Sequence, residues 1–111
     1  MTRAEFEAVA ERAVASLPPH LRKALQNVAL TIEDADAADP DLYGLYEGVP
    51  VTEAHDWAGE LPARIRIFRI PLSEDFPDPD ELAEEIRVTV LHELAHHFGI
   101  DDDRLDELGY A

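Results

Sequence analysis

Apolar residues recur along this chain in two rhythms, one helical and one alternating, and together they predict its elements. Phe6, Val9, Ala10, Ala13, Val14 and Leu17 recur at helical spacing, with Glu5, Glu7, Glu11 and Arg12 off that stripe. Thr2 and Glu5 supply a capping box at the start, and Pro18-Pro19 end the run. The pattern predicts a helix that buries one face and backs the rest of the fold. Residues 20–26 read as a short helical turn. Residues 27–33 alternate, with Val28, Leu30 and Ile32 set apart from Ala29 and Thr31, which predicts a first strand. Residues 34–41 are acidic, small and interrupted by Pro40, so they read as a loop. Their spacing lacks the central Gly and terminal Glu of a calcium loop.

Tyr43, Gly44, Tyr46 and Gly48 mark residues 41–48 as a short strand or tight turn. Residues 49–62 read as another short strand and a loop carrying His55, Asp56 and Trp57. Residues 63–72 predict a strand, with Ile65 and Ile67 on one face and Arg64 and Arg66 on the other. Alternation blurs at Phe68-Arg69-Ile70, which predicts deeper burial or a bulge there. Residues 73–77 read as a loop.

A long helix follows over residues 79–98. Asp78 is its N-cap, Pro79 takes the first position and Glu81 completes the box, while Gly99 suits the C-terminal cap. Its first two turns are charged. From Val88 onward Val88, Val90, Leu91, Leu94, Ala95 and Phe98 surround it, as in a buried helix. The exceptions Thr89, His92, Glu93 and His96 fall within one sector roughly 100° wide. Polar groups on a buried helix need a polar destination, because burial without partners is costly. A cleft with a metal provides one. Residues 103–108 predict a short last helix, which Asp103 can cap.

Composition narrows the chemistry. The 111 residues suit a single domain, 1–111, of α+β class. No cysteine is present, so a metal site must use His, Asp, Glu or water. Asp and Glu number 25 against nine Lys and Arg, a formal charge of −16. That balance argues against nucleic acid and against anionic membranes as partners. It serves solubility first, and it also suits basic peptides or a cationic partner surface. The charged N-terminal stretch lacks the apolar core of a signal peptide, so a cytoplasmic protein is expected. Nothing in the sequence separates monomer from homodimer.

His92-Glu93-Leu94-Ala95-His96 is an H-E-x-x-H sequence. Its histidines stand one turn, about 6 Å, apart along the axis and can share one ion. Glu93, rotated to the side, suits a general base acting on water beside the ion. Zinc lowers the pKa of such a water to roughly 7. Gly99 lets the chain turn back, which brings Asp102 into range as a third ligand, with Asp101 and Asp103 as competitors. His97 points away from the stripe, toward Val90 and Ile86, and reads as a supporting residue.

His-Glu-Leu-Ala-His-His-Phe-Gly-Ile-Asp-Asp resembles the Asp-zincin pattern H-E-x-x-H-x-x-G-x-x-D. More closely, the chain resembles the small bacterial zincin-like metallopeptidase family. The likeness covers Leu-Tyr-Gly-Leu-Tyr-Glu-Gly, Ile-Arg-Ile-Phe, Pro-Asp-Pro-Asp-Glu-Leu and the motif onward. It implies a minimal zincin-like fold: a small mixed sheet, a backing helix and an active-site helix. It also implies one Zn²⁺ held by His92, His96 and Asp102, with Glu93 as catalytic base, and hydrolysis of a peptide or protein substrate. Met-zincins place a methionine beneath the metal, but Met1 is the only methionine here. Tyr110 is the candidate for that floor, and Thr89, Tyr46 and His97 are further supporting candidates. Tyr43, Tyr46, His55 and the strand arginines are alternatives for stabilising an oxyanion. The rival function is a catalytically silent binding or regulatory module of the same shape.

Overall fold

The computed structural model describes residues 1–48 and 63–99. In chain order they form α1 (Arg3–Ala15), α2 (Pro19–Ala24), a 3-10 turn (Leu25–Asn27), β1 (Val28–Glu33), β2 (Gly44–Glu47), β3 (Ala63–Phe68), α3 (Arg69–Asp75) and α4 (Pro79–His97). The expected short strand and loop at 49–62 and the short last helix lie outside the described residues, as do His55, Trp57, Asp102 and Tyr110. Helices on a small mixed sheet make an α+β arrangement, as expected of a minimal zincin-like fold.

The predicted caps set the helix starts. Thr2 Oγ1 accepts from the Glu5 amide and Glu5 accepts from the Thr2 amide, so both halves of the box at α1 are made. At α4, Asp78 accepts from the Glu81 amide, but only this half of the expected box is present. Gly99 adopts φ +73°, a left-handed value that suits a residue without Cβ, and its amide donates to the His96 carbonyl.

The three strands lie in the order β1-β3-β2, with β3 parallel to β1 and antiparallel to β2. The expected strand over 63–72 stops at Phe68, and the chain turns at once into α3. Pro71 gives the reason. It has no amide to donate to a ladder, but the first turn of a helix has no use for that amide. The blurred alternation therefore marked a change of element, and most of the loop expected at 73–77 belongs to α3.

One core joins these elements. Phe6, Ile65, Ile67, Leu72, Ile86 and Val90 are fully buried in it, each contributing on the order of 1.5–3 kcal/mol by leaving water. α4 packs against α1, β2 and β3. Phe98 stands apart from the apolar surround expected of it, at 37% exposed. The opposite sheet face carries ions. Arg66 bonds Glu33 at 2.8 Å and Glu47 at 2.9 Å and lies 3.5 Å from Asp36. Arg64 pairs with Glu47, and Arg69, on α3, with Asp34. Among the described residues no helix is long and apolar enough to cross a membrane.

Candidate functional site

A groove of about 540 Å³ runs between β2 and α4. The helix lines it with Glu85, Thr89, His92, Glu93 and His96, which are the predicted polar stripe extended by one turn. Tyr43, Gly44 and Tyr46 line it from the strand side, and Asp39 and Asp41 from the preceding loop. A second groove of similar size, about 530 Å³, lies between α1 and β1, but among the described residues no histidine lines it.

His92 and His96 stand side by side, ring centres 6.2 Å apart and planes nearly perpendicular. Two imidazoles sharing a tetrahedral zinc with bonds of about 2.0 Å have ring centres roughly 5 Å apart. Both rings line the same groove from successive turns of α4. Imidazole and carboxylate donors suit zinc, and no thiolate competes. Among the described residues no cluster of three or more His, Cys, Asp or Glu has the geometry to hold a metal by itself. The third ligand assigned to Asp102 lies outside those residues.

Glu93 is 6% exposed, and one of its carboxylate oxygens lies 3.3 Å from His96 Nδ1. Gly44 fixes the wall beside it. A Cβ on Gly44 would lie 2.7 Å from Thr89 Cγ2 and 3.2 Å from Glu93 Cγ. Strand and helix therefore approach as closely as they do because residue 44 has no side chain. Thr89 is buried at this contact, with its hydroxyl donating to the Glu85 carbonyl in its own helix at 2.7 Å.

The remaining candidates among the described residues have identifiable partners. Tyr46 Oη and His97 Nδ1 are 2.9 Å apart, with the rings edge to face. Burial raises the Tyr46 pKa and lowers that of His97, which favours the neutral form of each. Tyr43 donates to Asp75, which together with burial pushes its pKa up to about 12. The arginines offered for an oxyanion are paired with Glu33, Glu47, Asp36 and Asp34.

Sequence reading did not assign roles to Gly44, Glu85 or Asp75. A glycine inside a strand does signal a close backbone approach, so Gly44 was within reach of it. Asp75 had no such signal, because its contact with Tyr43 spans 32 residues.

A family model described as zincin-like metallopeptidase matches residues 25–110. The fold is similar to that of a conserved hypothetical protein from Thermus thermophilus, at 23% sequence identity, with 97% of each chain covered and a TM-score of 0.58. That likeness concerns the fold alone. No match was found among curated proteins.

Proposed function

Because the chain belongs to the zincin-like metallopeptidase family, we propose that it is a zinc-dependent metallopeptidase hydrolysing peptide bonds in the groove between β2 and α4. The observation that carries this proposal is one helical stripe bringing His92, Glu93 and His96 to one groove. His92, His96 and Asp102 are the residues proposed to hold the ion. When bound, zinc supplies Lewis acidity, which polarises a carbonyl and makes water more acidic.

The protein's own residues do the rest. Glu93 takes a proton from the attacking water and passes it to the leaving amine. Its packing against Gly44 supports a fixed position for the carboxylate. An extended peptide can lie along β2, which pairs only with β3 among the described residues. Asp39, Asp41 and Glu85 line the groove, and among the described residues no Lys or Arg shares that lining, which favours substrates with basic side chains. The Tyr43 hydroxyl donates to Asp75, and the Tyr46 hydroxyl meets His97 Nδ1.

A mixed peptide pool tests this. Zinc-loaded wild type should cleave it, and Glu93→Gln should lose at least about 10²-fold in rate. Zinc-loaded protein that cleaves nothing would favour the silent binding module.

A further inference from the structure

We propose that Tyr46 is a positioning residue for His96, acting through His97. Its hydroxyl bonds His97 Nδ1 and so staples the last turn of α4 to strand β2. This proposal rests on the assignment of His96 as a metal ligand.

The need for a staple follows from where His96 lies. α4 ends at His97, so His96 occupies its final turn. The last carbonyls of a helix have no partner further along it, and helix ends open at the lowest free-energy cost. Local closure here is short-range: Phe98 N donates to Ala95 O and Gly99 N to His96 O, each at 3.0 Å. A ligand in that turn inherits any fraying. His92, a full turn earlier, does not.

Tyr46 supplies a long-range restraint. It lies 51 residues away in sequence, yet its hydroxyl meets His97 Nδ1 at 2.9 Å. The two rings also pack edge to face at 5.7 Å. Tyr46 is itself well anchored, opposite the fully buried Ile65 in the β2–β3 ladder. The bond is part-buried, so water competes weakly for it. His96 is thereby held through its neighbour, in register with His92.

Zinc affinity, measured by competition with a chromogenic chelator, tests this in wild type, Tyr46→Phe, His97→Leu, the double variant and His97→Asn. Melting of the metal-free proteins is followed in parallel. Tyr46→Phe and His97→Leu should each weaken zinc binding about 3- to 10-fold, the worth of one hydrogen bond. The double variant should be no weaker than the singles, because both remove the same bond. His97→Asn, whose side-chain amide can replace Nδ1, should recover most of the affinity. Tyr46→Phe keeps the ring and carries the test if His97→Leu fails to fold. A lower melting temperature with unchanged zinc affinity would make the bond merely structural and overturn the proposal alone. Wild type that binds no zinc would overturn both this proposal and the metal site on which it rests.

Discussion

Gly44 and Thr89 meet so closely that a methyl group on the glycine would lie 2.7 Å from Thr89 Cγ2. This contact sets the width of the groove beside Glu93. Gly44→Ala must push β2 away from α4 or displace Thr89, and overpacking of this kind costs about 1–3 kcal/mol. Thr89→Ser removes the offending methyl and keeps the hydroxyl. Denaturant unfolding should therefore show Gly44→Ala destabilised and the Gly44→Ala/Thr89→Ser pair largely restored. A neutral Gly44→Ala would mean that the strand does not press on the helix.

The sheet's outer face predicts an acid limb. Hydrogen bonds from Arg66 hold the Glu33 and Glu47 carboxyls below the ordinary glutamate range. A depressed folded pKa means that the unfolded chain binds protons first. The stabilisation is then complete above the ordinary value of about 4.3 and lost as pH falls through the folded values. Arg66→Gln should melt lower than wild type at neutral pH and lose less on acidification. Zinc affinity should be unchanged, because Arg66 lies on the sheet face away from α4. Parallel acid limbs in the two proteins would show that Arg66 does not hold these carboxyls.

Tyr43 predicts an alkaline counterpart. Its bond to Asp75 and its burial raise the phenol to about 12. Here the folded pKa exceeds the unfolded value of about 10, so the stabilisation is present below that value and lost as pH rises toward the folded one. The chain has three tyrosines, and their ionisation can be followed by ultraviolet absorbance. Asp75→Asn should bring one of them back toward the ordinary range. An identical titration in wild type and variant would contradict the Tyr43–Asp75 bond.

Local patterns made most elements legible. Thr2 with Glu5, Asp78 with Pro79, and Gly99 announced helix ends because capping is chemistry among near neighbours. β1 and the first half of the 63–72 run followed period-two alternation. The second half did not, because buried apolar residues around Phe68 suit a strand or a helix, and Pro71 was the deciding residue. In the site, the helical period sufficed to place His92, Glu93 and His96 on one stripe. The strand facing that stripe was not legible as such. Gly44 against Thr89, and Tyr46 against His97, are tertiary contacts between distant segments, and no local periodicity encodes them.

Zinc stoichiometry tests the central claim most directly. Wild type purified without chelator or added metal should carry, or take up at neutral pH, one zinc ion per chain by elemental analysis and calorimetry. His92→Ala and His96→Ala should each lose most of that affinity while keeping a cooperative thermal transition. Wild type that binds no zinc at neutral pH, or histidine variants that bind it as tightly as wild type, would contradict a metal centre on α4.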